Sequence, residues 1–271
     1  MVVAILLGLA TACAAFPARA ATADVAAAAG HGAERPRLEL GANAAGLLGG
    51  AALVLWGAAE LERASDDVTR CRRCDPPGFD RWTRAELAWH DARAASTASD
   101  ILLFAVPIGS VAAVAWLAAR EGDRREIAED VFLVAAAVAL TDALTRGVQH
   151  ATGRLRPQAW DAGGSSADRD LRSFFSGHAS RVFAAAAAAA QVSRLRARRG
   201  WRWVAAAGLT AAAATAWLRV AGDQHWTTDV LAGAAAGAAV GWSVPIAVLR
   251  PVTRGTGAAL VPAPGGLALV F

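Results

Sequence analysis

Residues 218–229 read Leu-Arg-Val-Ala-Gly-Asp-Gln-His-Trp-Thr-Thr-Asp, and they place Arg219, His225 and Asp229 directly before a long apolar run. If the chain is already helical from Trp226, His225 and Asp229 lie one turn apart on the same helix face. The carboxylate would then hold one ring nitrogen of the histidine and leave the other free to act as a nucleophile. The alternative is a helix start at which the aspartate is a cap and the histidine is incidental.

Two earlier stretches also carry polar groups at the ends of apolar runs. Residues 153–157, Gly-Arg-Leu-Arg-Pro, set two arginines beside a proline that we expect to end the preceding helix. Residues 173–178, Ser-Phe-Phe-Ser-Gly-His, open an alanine-rich run. A hydroxyl, a close backbone approach and free N–H groups at a helix start suit the oxygens of a phosphate. Each stretch alone is a weak signal.

The ordered set of motifs is more specific than its parts. Its members are Arg156-Pro157, then Ser176-Gly177-His178, then Arg219 followed by His225 and Asp229. In this order they resemble the three-part signature of the type 2 phosphatidic acid phosphatase (PAP2) family, which is related to vanadium haloperoxidases. The resemblance covers residues 128–249 as a catalytic core. It implies an all-α fold, a polytopic membrane helix bundle with about six spans.

The resemblance also implies a reaction, the metal-independent hydrolysis of a lipid phosphate or diphosphate, and a role for each motif residue. His225 attacks phosphorus to form a phosphohistidine, Asp229 orients His225, and His178 protonates the leaving alkoxide. The other members are expected to bind the non-bridging phosphate oxygens: Arg156, Arg219, the Ser176 hydroxyl and the Gly177 N–H. Bidentate arginine geometry suits a phosphate. Neither a metal nor another cofactor is expected.

Gln149 departs from the family pattern, which has a lysine seven residues before the arginine of Arg-Pro. A neutral donor there replaces a cation that binds phosphate, so we expect reduced activity. Arg154 is expected to supply an extra phosphate contact that partly replaces the lysine. Phe175 and Leu218 also differ from the pattern, with more effect on packing than on chemistry.

Two other functions fit the same residues. A phosphotransferase of the same fold would move phosphate or a headgroup onto another acceptor. A non-catalytic membrane protein that binds phospholipid is the second alternative, and Gln149 keeps it open. The sequence names neither the lipid nor an oligomeric state, because chain recognition would lie in apolar helix faces.

Composition independently indicates a membrane protein. The 271 residues are 55% hydrophobic, and their mean hydropathy is +0.35, which is too apolar for an ordinary soluble domain. The net charge of +4 could suggest nucleic acid. The basic residues, however, are all arginine and gather in short loops between apolar runs. We therefore expect membrane lipids as partners and no nucleic acid.

Apolar runs divide the chain into segments. Residues 1–20 are expected to be a signal peptide or an uncleaved anchor, and residues 21–37 a connector. Six spans are predicted, of which the first two belong to an N-terminal helical region (38–127): 38–59, 101–119, 128–148, 180–192, 201–218 and 230–249. Residues 250–271 are expected to form an irregular tail.

The polar segment 60–100 contains Cys71 and Cys74. Their spacing fits half of a zinc site or a redox pair, but zinc needs two more ligands and no second pair exists. We expect a local disulfide that staples an extracytoplasmic loop.

Arginine-rich loops predict the orientation of the chain in the inner membrane. Residues 120–126 and 194–202 should be cytoplasmic by the positive-inside rule, so all three motifs would face the extracytoplasmic side. A cleaved signal conflicts with six spans in this orientation, since it would leave the mature N-terminus outside. In the last span, Gly233, Gly237 and Gly241 predict close helix packing.

Overall fold

The structure is a computed structural model. It describes residues 38–41, 71–122, 124–165, 167–251, 259–263 and 266–270. The predicted signal peptide or anchor, the connector and most of the first predicted span (42–59) lie outside the described residues.

The described part of the chain is mainly helical, which confirms the all-α bundle. Its elements in chain order are β1 (Leu38–Leu40), α1 (Gly78–Leu87), α2 (Ala92–Glu121), α3 (Arg124–Thr152), α4 (Pro157–Asp161), a 3₁₀ turn (Asp168–Leu171), α5 (Gly177–Leu195), α6 (Trp201–Ala221), α7 (Thr227–Val248), β2 (Leu249–Pro251), β3 (Ala259–Ala263) and β4 (Gly266–Val270).

Helix α5 lies at the centre of the bundle. Its alanine run, residues 184–190, is at most 4% exposed. The helix packs against α2, α3, α6 and α7. Alanine brings helix backbones close together and loses no side-chain rotamer freedom on burial. The central position of α5 therefore follows from its composition.

Three glycines on α7 line the closest helix contact. A Cβ at Gly233, Gly237 or Gly241 would overlap backbone atoms of α5, at residues 176, 180 and 184 respectively. The four-residue spacing thus forms a ridge against α5, as predicted. This contact fixes where the N-terminal ends of α5 and α7 stand relative to each other.

Helices α2, α6 and α7 are long and apolar enough to cross a bilayer. They also carry most of the large apolar side chains that the described structure leaves exposed: Ile101, Phe104, Ile108, Trp116, Trp203, Leu209, Trp217, Leu231 and Trp242. Such a surface is typical of helices that face lipid. Helices α3 and α5 run within the same bundle, and the total of six spans stays a prediction.

The two arginine-rich loops meet at one end of the bundle. Arg196 and Arg198 are at most 3% exposed. Arg196 pairs with Glu129 at 2.7 Å, and Arg198 pairs with Asp130 at 2.8 Å. Helix α5 separates this end from Gly177 by about 27 Å, close to the thickness of a bilayer core. The arginine loops therefore lie opposite the motifs.

Two helix boundaries differ from the prediction. Helix α2 begins at Ala92 rather than near Ile101, because Asp91 caps it by accepting the Ala94 N–H at 3.1 Å. Helix α3 ends at Thr152, where Gly153 takes a φ of +53°. Pro157 does not end that helix but starts α4, a position for which proline is well suited.

The tail was predicted to be irregular and instead contains strands. β2 pairs antiparallel with β1, so residues 38–40 extend along the end of α7 rather than beginning a helical span. Leu38 and Leu249 join the apolar core through this pairing. β3 and β4 pair antiparallel, with Ala259 opposite Val270 and Ala263 opposite Gly266. The prediction was wrong because the prolines were taken to exclude strands, although edge strands accept proline.

Substitution of Gly237 by alanine should destabilise the bundle. The added methyl group would meet the Ser180 backbone, and overpacking of this kind costs about 1–3 kcal/mol. Gly109→Ala is the matched control, because its Cβ would have no neighbour within 4 Å. Thermal unfolding in detergent should show a lower midpoint for Gly237→Ala only. Equal midpoints for the two variants would contradict the close packing.

Candidate active site

The three motifs converge at one end of the bundle. His225 lies in the turn between α6 and α7 and is 2% exposed. Helix α7 starts at Thr227, so His225 precedes the helix and the expected one-turn helical relation to Asp229 is wrong. The two side chains nevertheless remain near each other, with 3.6 Å between Nδ1 of His225 and Oδ2 of Asp229.

The imidazole of His225 is held by a backbone carbonyl. Nδ1 lies 2.9 Å from the Ser173 carbonyl oxygen and 3.6 Å from Oδ2 of Asp229. A carbonyl accepts only, so Nδ1 carries the proton and Nε2 keeps its lone pair. The Ser173 carbonyl, more than the Asp229 carboxylate that we predicted, therefore orients the imidazole of His225. Sequence reasoning missed this contact, because a backbone acceptor leaves no mark in residue type.

His225 is uncharged at neutral pH. Burial, together with the nearby guanidinium groups of Arg156 and Arg219, holds the pKa of His225 well below its usual value. Its neutral form therefore persists as the pH falls below the ordinary range of histidine. A neutral imidazole with a free Nε2 is the form that can act as a nucleophile.

Asp229 is fully buried and joins the motifs to one another. Its carboxylate accepts hydrogen bonds from Arg154 Nη1, from the Ser173 hydroxyl and from the Trp226 N–H. Its backbone carbonyl accepts the Ser176 N–H at 3.0 Å. One residue therefore contacts all three motif regions.

Arg154 has different partners from those predicted. It is 6% exposed, and besides Asp229 it donates to Thr228 Oγ1 at 2.8 Å and to Asp80 Oδ2 at 2.6 Å. Two carboxylates match the planar fork of its guanidinium group. Both terminal nitrogens are thus engaged by the protein, and the geometry makes Arg154 a support for Asp229 rather than a phosphate ligand.

Helix α1 supplies a buried carboxylate that the sequence did not reveal. Asp80 accepts from the Thr228 N–H at 2.9 Å and from the Thr228 hydroxyl at 2.7 Å, in addition to Arg154. Its surroundings in the polar segment 60–100 gave no sign of burial. The one feature of the sequence that indicates a buried role for Asp80 is its position in the first turn of an amphipathic helix. Its partners are about 70 or more residues away in sequence, so the sequence does not identify them.

The segment before α1 is fastened to the same site. Cys71 and Cys74 form the expected disulfide. Beside it, the Arg72 N–H donates to the Gly153 carbonyl at 3.0 Å, and the Leu155 N–H donates to the Arg73 carbonyl at 3.3 Å. The cysteine loop therefore braces the backbone on both sides of Arg154.

Arg156 and Arg219 converge on one neutral oxygen. Arg156 Nη1 and Arg219 Nη2 each lie 3.4 Å from Oε1 of Gln224. Burial lowers the pKa of Arg156, although nearby carboxylates oppose this effect. Two cations that share an uncharged acceptor, the half-buried Arg156 and the buried Arg219, make a strong site for an anion.

Asp100 of α2 bridges His178 and Arg219. Its Oδ1 lies 2.8 Å from His178 Nε2 and 3.0 Å from Arg219 Nη1. Ser99 accepts from the same Arg219 nitrogen at 3.0 Å. Sequence reasoning missed Asp100 because it stands immediately before the apolar run that was taken as a span.

The start of α5 is arranged as expected for a helix cap. The Ser176 hydroxyl is buried and accepts the Ala179 N–H at 3.4 Å, and Gly177 is the first residue of the helix. Gln149 lies on α3 and donates from Nε2 to the Phe175 carbonyl at 2.9 Å. It therefore supports the loop that leads into Ser176.

The charges of the site favour an anion on one side. Arg154 is balanced by Asp80 and Asp229. Among the described residues, Arg156 and Arg219 together have one direct carboxylate contact, Asp100. Within the part of the chain that the structure describes, no three His, Cys, Asp or Glu side chains are grouped as metal ligands.

Substitution of Asp80 by alanine should destabilise the protein through Arg154. The guanidinium group would lose one of its two carboxylates in a buried site, a loss of about 1–3 kcal/mol. Asp75→Ala is the matched control, because the Asp75 side chain is 87% exposed. The unfolding midpoint should fall for Asp80→Ala and stay unchanged for Asp75→Ala. An unchanged midpoint for both variants would show that Asp80 does not stabilise the protein through Arg154.

Comparison with known proteins agrees with the geometry. Residues 130–251 match the model of the PAP2 superfamily. Neither curated proteins nor solved structures give a significant match. The matched region contains all three motifs, and the structure brings those motifs together in one site. The match to the PAP2 superfamily therefore covers residues 130–251, the region in which the three motifs form one site.

Proposed function

We propose that this protein is a multi-pass membrane phosphatase that hydrolyses a lipid phosphate or diphosphate through a phosphohistidine at His225. The match to the PAP2 superfamily supports a phosphatase-type membrane protein. The observation that carries the finer assignment is the position of a neutral, buried His225 beside two arginines that share the Gln224 oxygen.

The phosphoryl group of the substrate takes the place of the Gln224 oxygen between Arg156 and Arg219. These guanidinium groups, with the Ser176 hydroxyl and the Gly177 N–H, bind the non-bridging oxygens. Their positive charge stabilises the negative charge that accumulates on those oxygens in the transition state.

Nε2 of His225 attacks phosphorus while the bond to the leaving oxygen breaks. His178 must be protonated for this step, and its contact with Asp100 favours the protonated form against the effect of burial. It donates the proton to the leaving oxygen, and the lipid alcohol, or the lipid monophosphate from a diphosphate, leaves. Water then attacks the phosphohistidine, His178 takes a proton from it, and inorganic phosphate is released. Asp100 keeps His178 and Arg219 beside the site before substrate binds.

The position of the site supports a lipid substrate. The site lies at one end of a bundle that contains three helices long and apolar enough to cross a bilayer, so a substrate headgroup could reach it from the membrane surface. The arginine loops at the other end support a cytoplasmic position for that end by the positive-inside rule. The catalytic end then faces the extracytoplasmic side of the inner membrane, which also suits the disulfide.

His225→Ala should abolish turnover because it removes the nucleophile. With purified protein and a panel of lipid phosphates and diphosphates, phosphate release should fall by about 10³-fold or more, while lipid binding persists through the arginines. His90→Ala is the control, since His90 is an exposed histidine before α2. Turnover at the wild-type rate in His225→Ala would refute the mechanism. Recovery of the phosphate on an added alcohol rather than as free phosphate would make the protein a phosphotransferase.

Gln149→Lys should lower the substrate concentration needed for half-maximal rate. A lysine can still donate to the Phe175 carbonyl, and it adds a charge worth on the order of 1 kcal/mol near a bound phosphate. Gln158→Lys adds the same charge on the exposed side of α4 and serves as control. A folded but inactive Gln149→Lys would show that the pocket is built around the glutamine.

A further inference from the structure

A cavity lies between α5, α6 and α7, far from the candidate active site. Its volume is about 380 Å³, and its lining is almost wholly apolar: Ala187, Ala190, Trp201, Leu209, Ala239 and Trp242 are among its residues. Ala187 and Ala190 follow Gly177 by about 15–20 Å along α5. The cavity therefore belongs to the end of the bundle that carries the arginine loops.

The cavity opens on the outer surface of the bundle. Leu209 and Trp242 are 38% and 42% exposed, and both stand on helices that can cross a bilayer. Alanines of α5, α6 and α7 line the cavity together with Trp201 and Trp242. A volume of this size is in the range of small-molecule pockets, roughly 300–1,000 Å³, and the lining suits a hydrocarbon chain.

Each of these two tryptophans has a guanidinium group against its ring. The Arg194 guanidinium carbon lies 5.4 Å from the centre of the Trp242 ring, and that of Arg202 lies 5.6 Å from the centre of the Trp201 ring. Both distances are within the range of a cation–π contact. The two cations thus stand at the rim of an apolar cavity.

The arginines of this loop differ in their partners. Arg196 and Arg198 are buried and paired with acidic residues of α3. Among the residues that the structure describes, no carboxylate lies within ion-pairing distance of Arg194 or Arg202, and Arg202 is exposed. Within the described structure, their charge is therefore not neutralised by a carboxylate.

We infer that this cavity binds an anionic phospholipid of the leaflet opposite the active site. One acyl chain lies in the alanine-lined cavity between Trp201 and Trp242, and Arg194 and Arg202 bind the headgroup phosphate. An apolar cavity that ends in two cations fits a phospholipid, in which a phosphate joins a hydrocarbon chain at the membrane surface. The site is separate from the proposed catalysis and does not depend on it.

Binding of defined lipids to the purified full-length protein tests this inference. Native mass spectrometry would compare dioleoyl phosphatidylglycerol, dioleoyl phosphatidylcholine and glycerophosphoglycerol, which is the same anionic headgroup without chains. Phosphatidylglycerol should bind about tenfold more tightly than phosphatidylcholine, and glycerophosphoglycerol should bind hardly at all. Equal affinity for the two lipids, or tight binding of the free headgroup, would overturn the inference.

Matched variants locate the lipid on the protein. Arg194→Gln combined with Arg202→Gln should reduce phosphatidylglycerol affinity about tenfold and phosphatidylcholine affinity by less, because the choline cation already offsets the charge of its phosphate. Ala239→Phe should weaken both lipids by filling the cavity. Arg120→Gln is the control, because Arg120 stacks on Trp116 at 4.7 Å at the same end of the bundle but outside the cavity.

Unchanged phosphatidylglycerol affinity in the double variant or in Ala239→Phe would overturn the site. So would an equal loss in Arg120→Gln, which would indicate general attraction to a basic surface. Thermal unfolding of each variant separates loss of binding from loss of folding. If Ala239→Phe unfolds, the double arginine variant alone decides the outcome.

Discussion

The buried ion pair between Arg154 and Asp229 is the interaction on which the site depends. Asp229 accepts hydrogen bonds from Arg154, the Ser173 hydroxyl and the Trp226 N–H, and it is fully buried. Removal of one member of such a pair leaves the other charge without compensation, at a cost of about 3–5 kcal/mol. Because these contacts cross between motifs, the pair connects the position of His225 to that of the loop before α5.

Small residues make this arrangement rigid. The glycine ridge of α7 and the alanine run of α5 bring two helices into backbone contact, and both helices begin at the site. Ser176 and Asp229 are therefore held by the helices as well as by their hydrogen bonds. If a phosphate binds as proposed, His225 and the two arginines placed by such a frame need little reorganisation, which is how preorganised charge lowers a barrier.

The two ends of the bundle use arginine differently. At the motif end, Arg156 and Arg219 share a neutral amide oxygen, so an anion improves their environment. At the opposite end, Arg196 and Arg198 are neutralised by carboxylates of α3 and act in folding. The sequence shows arginine in both places. The partners of each guanidinium group in the folded structure distinguish a pair suited to bind an anion from a pair that stabilises the fold.

The sequence predicted those parts of the site that depend on the type and spacing of side chains. The ordered motifs and the glycine spacing identified the family, the bundle and the convergence of His178, His225 and Arg219. The support of His225 was not predictable, because it comes from the backbone carbonyl of Ser173. Asp80 and Asp100 were missed for a different reason, since their partners are distant in sequence and only tertiary packing brings them together.

Covalent phosphorylation of His225 can be measured by rapid quenching of the reaction with a lipid phosphate labelled in its phosphoryl group. The wild-type protein should carry an acid-labile, base-stable phosphoryl group on the peptide that contains His225, and His225→Ala should carry none. The label should disappear at the rate at which phosphate is released. An equal amount of label in His225→Ala, or label on another residue, would rule out His225 as the nucleophile.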